Sequence, residues 1–242
     1  MIAVVYFFVF VLGAIVGSFL NVVILRHNTG AVLHGRSRCL SCGKTLKWYE
    51  LAPILSFILQ RGKCRSCASA VSWQYIVVEL VSGVLFALVF KMYLVSTYPL
   101  APLSIMYGWV VVSILLVITV YDIRHKIIPN DLVYTFIGLA FLSLFSGRSL
   151  DVERLLIGLL PFLFFASLWY FSKGLWMGFG DAKLALGIGW FLPFPENAYA
   201  IILGFWLGAI YGIFLLCFRP KKITLKSEVP FAPFLVTGTL FM

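Results

Sequence analysis

The stretch WVVVSILLVITV, residues 109–120, is followed at once by YDIR, residues 121–124. An uncharged run of this kind is typical of a membrane-spanning helix, which needs about 20 mostly apolar residues. Comparable runs recur through the 242-residue chain, in which 62% of the residues are hydrophobic and 12% are charged. Soluble domains carry roughly 25% charged residues. The composition therefore excludes a soluble globular protein and predicts an integral membrane protein.

The apolar runs predict an all-α polytopic membrane fold with about eight transmembrane helices. We expect three parts, which are a first transmembrane helix over 1–25, a polar insert over 26–71 and a membrane-embedded core over 72–242. The predicted spans are residues 2–25, 75–94, 103–120, 132–145, 155–171, 184–192, 198–218 and 231–242.

Lysine and arginine are distributed unevenly between the two sides that these spans define. The segments 26–71, 121–130, 172–183 and 218–228 hold 16 of the 19 Lys and Arg residues. Cytoplasmic loops of membrane proteins are enriched in these residues, so we expect the insert and these loops to face the cytoplasm. The net charge of +10 then marks orientation in the bilayer, and no nucleic-acid partner is expected.

The insert contains two C-x2-C pairs separated by 21 residues. Two such pairs can supply the four thiolates of a tetrahedral zinc site, which would be structural because it leaves no open position for water. Two disulfides and a redox-active pair are the alternatives, although a reducing cytoplasm disfavours disulfides. The predicted zinc ligands are Cys39, Cys42, Cys64 and Cys67.

Two carboxylates lie at membrane edges where helix capping does not account for them. Asp122 comes just after the third predicted span, at its cytoplasmic end, and Asp181 precedes the short sixth span in the motif GFGDAK, residues 178–183. The predicted topology places both at the same depth on the cytoplasmic side. Two carboxyls in a site of low dielectric cannot both ionise easily, so one can act as an acid and the other as a base on water. This is the chemistry of aspartic peptide hydrolysis.

The residues around Asp181 suit such a site. Gly178 and Gly180 remove side chains beside the carboxylate, so that a substrate backbone can approach closely or the chain can adopt a positive φ. Lys183 is the last residue of the same motif. The alternative is a pair of surface ion pairs, in which Asp122 contacts Arg124 or Lys126 and Asp181 contacts Lys183.

The chain resembles the type IV prepilin peptidases, a bacterial family of bifunctional leader peptidases and N-methyltransferases. The resemblance runs over nearly the whole length, and Ala232 stands where relatives commonly have glycine. Its motifs, in chain order, are GSFLNVV (17–23), the two C-x2-C pairs, WYE (48–50), RGKCR (61–65), EL (79–80), DIR (122–124), IPN (128–130), GFGDAK (178–183) and VPFAPFL (229–235).

The resemblance implies that Asp122 and Asp181 are the catalytic pair of a G-x-G-D aspartyl protease in the bacterial inner membrane. It implies cleavage of prepilins or pseudopilins of pilus or secretion systems at the cytoplasmic face, after a glycine that ends a short basic leader. It also implies methylation of the new N-terminal residue with S-adenosylmethionine. Glu50 and Glu79 are candidates for methyl transfer or substrate contact on the resemblance alone.

Two other functions remain as alternatives. The first is an intramembrane aspartyl protease that cuts other membrane proteins within their helices. The second is a non-enzymatic channel or assembly factor whose aspartates carry protons or ions, since ionisable residues in membrane segments generally have a function.

Overall fold

The computed structural model describes residues 2–29, 35–95, 101–145, 150–218 and 229–242, and its regular structure over these ranges is helical. A single 3₁₀ turn, Trp48–Glu50, precedes the second helix. The helices are α1 (Ile2–Arg26), α2 (Leu55–Leu59), α3 (Gln74–Val95), α4 (Ala101–His125), α5 (Asn130–Ser143), α6 (Val152–Ile157), α7 (Leu159–Ser172), α8 (Phe179–Phe191), α9 (Glu196–Phe218) and α10 (Ala232–Leu240).

Five helical segments within the described ranges are long and apolar enough to cross a membrane. They are Ile2–Arg26, Gln74–Met92, Pro102–His125, Val152–Ser172 and Glu196–Phe218. The predicted spans over 132–145, 184–192 and 231–242 correspond to the shorter helices α5, α8 and α10. The all-helical fold is confirmed, whereas the count of about eight spans is not.

The chain forms two compact units, Met1–Val117 and Ile118–Met242. In the first unit, α1 packs closely against α3 in an antiparallel arrangement. A Cβ atom built on Gly13 would lie 2.8 Å from the Cα atom of Gly83, and one on Gly17 would lie 2.9 Å from the Cα atom of Glu79. Small residues let two helix backbones approach in this way, which is a common basis for helix association in membranes.

The second unit is organised around α8, in which seven of the 13 residues are buried. Ala182, Leu184, Ala185 and Ile188 are completely buried, and α8 packs against α5, α7, α9 and α10. Its 13 residues rise only about 20 Å, which is less than the hydrocarbon thickness of a bilayer. A short, enclosed helix can therefore hold its polar N-terminus inside the protein, where a wet cavity is tolerated at membrane depth.

Candidate active site and candidate metal site

Asp122 lies one turn before the C-terminus of α4 and is 4% exposed. Its Oδ2 atom accepts a hydrogen bond of 3.2 Å from the backbone amide of Ala232, a residue 110 positions further along the chain. Ala232 is the first residue of α10, and Pro233, which follows it, has no amide hydrogen to offer. The carboxylate of Asp122 therefore meets the N-terminal end of a helix, where negative charge is favoured.

Asp181 is the third residue of α8 and is 8% exposed. Gly178 is the N-cap of this helix, so Asp181 lies in a first turn, which also favours a carboxylate. The two aspartates are close enough for the charge of Asp122 to act on Asp181. The predicted pair is thus brought together within the second unit, at the N-termini of α8 and α10.

Burial of both carboxyls decides what the pair can do chemically. Two neighbouring carboxyls removed from water cannot both ionise easily, so one of them can hold a proton while the other carries the charge. The helix N-termini stabilise the single negative charge that remains. A pair with one proton and one charge can accept a proton from water and donate another to a leaving group.

The alternative of two surface ion pairs is not what the structure shows. Among the described residues, neither aspartate lies in an ion pair with Arg124, Lys126 or Lys183. The Lys183 ammonium instead donates a 2.7 Å hydrogen bond to Asn130 Oδ1, and it lies 5.0 Å from the centre of the Tyr134 ring. Lys183 therefore ties the start of α8 to the start of α5.

The two glycines of the motif differ in their surroundings. A Cβ atom on Gly180 would lie 3.0 Å from the Cβ atom of Ile128, so this glycine allows the segment after α4 to pack against α8. A Cβ atom on Gly178 would meet nothing closer than 3.9 Å, and one of the two atoms at that distance is Asp181 Oδ2. Neither glycine has a positive φ. The sequence suggested two roles for these glycines, which were open space beside the carboxylate or a positive φ. The structure favours open space, and it does so at Gly178.

Sequence reasoning did not identify the amide of Ala232, the amide oxygen of Asn130 or the side chain of Ile128 as parts of this site. Each lies in one of two motifs that carry the family resemblance, residues 128–130 or residues 229–235. Their place in these motifs was the signal in the sequence that could have identified them. A hydrogen bond from a backbone amide does not depend on the type of side chain, so the sequence could not reveal it. The only hint was Pro230, shortly before Ala232, which indicated that the backbone is constrained where the helix begins.

The four cysteines of the first unit also come together. Their Sγ atoms all lie within 4.8 Å of one another, and those of Cys39 and Cys67 are 3.8 Å apart. A disulfide would require about 2.05 Å, so the cysteines are free thiols. Four soft sulfur donors at this spacing can bind a metal ion, as the C-x2-C pairs predicted.

The two C-x2-C pairs form equivalent turns. The amide of Gly43 donates to the carbonyl of Cys39, and that of Ala68 donates to the carbonyl of Cys64, both at 2.9 Å. Gly43 has a φ of 70°, and Ala68, which occupies the corresponding position of the second turn, has a φ of 55°. The second turn therefore holds an alanine in a conformation that suits glycine.

The backbone of these turns favours thiolates. Hydrogen bonds from the amides of Cys42 and Ser41 lower the pKa of Cys39 to about 6. The amide of Lys44 has the largest single effect on Cys42 and acts in the same direction, but the neighbouring sulfur atoms of Cys39 and Cys67, together with burial, outweigh it and raise the pKa of Cys42 to about 11. Four thiolates cannot gather without a cation, and a divalent metal would remove this conflict.

Glu50 has a structural contact that its sequence position did not reveal. Its carboxylate accepts a hydrogen bond of 2.8 Å from the amide of Lys47 and forms an ion pair of 3.4 Å with Lys44. The amide hydrogen bond, followed by Lys44, lowers the pKa of Glu50 below its usual value. Glu50 therefore holds the turn between the first cysteine pair and α2.

Glu79 lies in α3 and is 7% exposed. Its Oε2 atom accepts a hydrogen bond of 2.7 Å from the amide of Ile54, and its carboxylate also bonds the hydroxyl of Ser18. Ile54 has a φ of 62°, an unusual conformation for a β-branched residue. Glu79 thus joins the insert to α1 and α3, whereas a part in methyl transfer stays a prediction.

Comparison with known proteins divides the chain into two matched regions. Residues 11–93 match the bacterial peptidase A24 N-terminal domain, and residues 109–213 match the type IV leader peptidase family. The first region contains the four cysteines with Glu50 and Glu79, and the second contains both aspartates. No solved structure matches the chain.

Several curated relatives share most of the chain, and three of them, from different bacteria, are each named a prepilin leader peptidase/N-methyltransferase. The relative from Bacillus subtilis is 33% identical over 96% of this chain and 90% of its own length. The relative from Myxococcus xanthus is 34% identical over 86% of this chain and 62% of its own length. The relative from Vibrio cholerae is 31% identical over 84% of both chains. The chain therefore belongs to the prepilin leader peptidase/N-methyltransferase family.

Proposed function

We propose that the protein removes the short basic leader of type IV prepilins or pseudopilins and then methylates the new N-terminal residue. The observation that carries the hydrolytic half is the buried pair Asp122 and Asp181, in a chain whose relatives are named for these two reactions. We propose that both aspartates are catalytic, with Gly178, Gly180 and Lys183 as supporting residues.

The pair would act on water and on the scissile peptide in turn. The charged carboxyl takes a proton from water, and the oxygen attacks the carbonyl carbon of the glycine that ends the leader. The protonated carboxyl then donates to the amide nitrogen as the carbon–nitrogen bond breaks. The leader leaves with a new carboxylate, and the pilin keeps a new amine. The helix N-termini of α8 and α10 stabilise the charge of the pair.

Open space at Gly178 supports this chemistry on the substrate side. A peptide substrate must bring its backbone, rather than a side-chain tip, to the carboxyl pair. A residue without Cβ beside Asp181 leaves room for that approach. Gly180 and Lys183 support the site differently, because they secure the start of α8 against Ile128 and Asn130.

The distribution of Lys and Arg supports a cytoplasmic location for the insert and the carboxyl pair. We propose a multi-pass protein of the bacterial inner membrane with both on the cytoplasmic side. In that orientation the apolar helix of a prepilin lies in the bilayer and its leader junction reaches the aspartates from the cytoplasm.

We propose Zn²⁺ as the metal of the cysteine cluster. A tetrahedral zinc site with bonds of about 2.3 Å has sulfur–sulfur edges of about 3.8 Å, which is the separation of the Cys39 and Cys67 Sγ atoms. Cys39, Cys42, Cys64 and Cys67 would hold the ion, and its role would be to stabilise the insert.

S-adenosylmethionine is the proposed methyl donor, on the strength of the relatives' names. When bound, it supplies a methyl group to the amine that leader removal exposes. Glu50 and Glu79 remain the residues proposed for this half-reaction. Their proposed role is support, because both carboxylates accept backbone hydrogen bonds that hold the insert in place.

The test is incubation of the purified protein with a full-length prepilin, with and without S-adenosylmethionine. Mass spectrometry of the product should show cleavage after the last leader residue and a gain of one methyl group only when the donor is present. Cleavage deep within the apolar helix would indicate a general intramembrane protease. An intact prepilin, together with ion flux in liposomes, would indicate a channel.

A further inference from the structure

An exposed apolar patch lies on the short helix α2 of the polar insert and just before α3. Leu55, Ile58 and Leu59 occupy positions i, i+3 and i+4 of α2 and therefore share one face of it. They are 63%, 58% and 73% exposed, and Trp73 is 72% exposed. We call these four side chains the α2 patch. Because α2 does not belong to a membrane-length helix, lipid around the spans does not by itself account for this exposure.

Two contacts hold α2 beside the start of a membrane-length helix. Ile54, the N-cap of α2, donates its amide to the Glu79 carboxylate. The ring of Phe57 lies 5.2 Å from that of Trp73. The candidate span in α3 begins at Gln74, so Glu79 lies five residues, or about 7.5 Å, inside it. The α2 patch is therefore held level with the end of a span, where a bilayer meets water.

A pocket of about 530 Å³ lies between α2 and the start of α3, next to the patch. The charged residues among its described lining side chains are Arg61 and Lys63, and both are exposed. An apolar pocket with two exposed positive charges matches an amphiphile with a negative headgroup. The apolar side chains that line it include Phe57, Ile58, Trp73 and Ile76.

We infer that the pocket and the α2 patch bind an anionic phospholipid of the bilayer that the protein spans. Its acyl chains contact the apolar side chains, and its phosphate lies at Arg61 and Lys63. Basic residues at a membrane surface attract anionic lipids, and tryptophan is favoured at the interface. A basic leader or S-adenosylmethionine, whose net charge is positive, would be repelled by the same two residues. The inference rests on the proposed function only for the placement of the protein in a bilayer.

The test measures which lipids lie beside Trp73 in nanodiscs of phosphatidylcholine with a minor fraction of brominated lipid. Bromine quenches nearby tryptophan fluorescence, and comparison with Trp73→Phe isolates the signal of Trp73. Brominated phosphatidylglycerol should be enriched there about fivefold or more over brominated phosphatidylcholine at the same fraction. Arg61→Gln/Lys63→Gln should abolish this preference. Arg36→Gln/Arg38→Gln removes the same charge from exposed positions outside the pocket lining and should retain it.

Equal quenching of Trp73 by the two brominated lipids in the native protein would overturn the inference, and this comparison does not depend on the folding of the charge variants. A preference that survives Arg61→Gln/Lys63→Gln, or that the control variant also loses, would overturn it as well. So would relief of the quenching by S-adenosylmethionine, which would assign the pocket to the methyl donor. Failure of the native enzyme to cleave a prepilin would instead overturn the proposed function and leave the lipid preference intact.

Discussion

The cysteine cluster and the carboxyl pair are built in different ways. The cysteines lie within a segment of 29 residues, in two short turns of repeated design that leave Cys42 and Cys67 exposed. The aspartates are buried, and their surroundings come from α4, α8 and α10, with one contact spanning 110 residues. A metal site can be assembled by local turns, whereas a buried acid pair needs helices from distant parts of the chain.

The largest expected effect concerns the buried pair. Asp122→Asn or Asp181→Asn should each lower leader cleavage by at least about a thousandfold, because each change removes the exchange of protons with water. Peptide cleavage followed by mass spectrometry measures the effect. Asp131→Asn, an exposed carboxylate in the first turn of α5, should retain normal cleavage, and its loss would show that charge near α5 rather than the pair is required.

Metal removal is the matching experiment for the exposed cluster. Cys39→Ser should reduce bound zinc from about one ion per chain to near zero, since three thiolates rarely hold zinc in a structural site. Acidification should release zinc from the native protein, because protons compete for the thiolates. Elemental analysis measures both effects. Cys217→Ser, at the end of α9 and outside the cluster, should keep its metal.

Alanine variants of Gly178 and Gly180 test whether open space or close packing matters beside Asp181. Gly180→Ala should destabilise the protein by about 1–3 kcal/mol, because its Cβ atom would press on Ile128. Gly178→Ala should leave the thermal unfolding temperature nearly unchanged and slow cleavage. Equal losses of stability in the two variants would contradict the proposed role of Gly178 in backbone approach.

Glu79 provides an intermediate case, since it is buried like the aspartates but serves the exposed insert. Glu79→Ala should cost about 1–3 kcal/mol by leaving the Ile54 amide without its acceptor. The rate at which a protease cleaves the insert measures this loss of stability, and the rate should rise. Glu79→Gln keeps an acceptor oxygen and should restore most of the protection, while Glu153→Ala, exposed at the start of α6, should behave as the native protein.

The smallest effect separates the two cysteine turns. Gly43→Ala should weaken the first turn by about 1 kcal/mol because its φ is positive. Ala68→Gly should strengthen the second turn by less than that, since glycine also loses more freedom on folding. Competition for zinc with a chelator measures both. A weaker second turn in Ala68→Gly would show that the alanine side chain contributes a contact.

The same comparison explains how much of the molecule could be predicted from its sequence. The cysteine cluster could be predicted residue by residue, because C-x2-C spacing dictates local geometry. The aspartates could be paired only by their predicted membrane depth. The amide of Ala232 could not be predicted as a partner, because it depends on how a short helix far along the chain packs.

The helix count shows a similar limit. Hydrophobic runs predicted helices at the right positions, but α5, α8 and α10 are too short to be counted as spans by length. Hydropathy does not distinguish a helix that faces lipid from one buried by its neighbours, as α8 is. The lengths of such helices follow from packing, which composition alone does not determine.

The central claim is that Asp122 and Asp181 act as one catalytic unit, and a double-mutant comparison of leader cleavage tests it most directly. Rates should be measured for Asp122→Asn, for Asp181→Asn and for the double variant at equal amounts of folded protein. Residues that act as a unit are strongly non-additive, so the double variant should be no slower than the slower single variant. A double variant slowed by the product of the two single effects, or a single variant with normal cleavage, would contradict the claim.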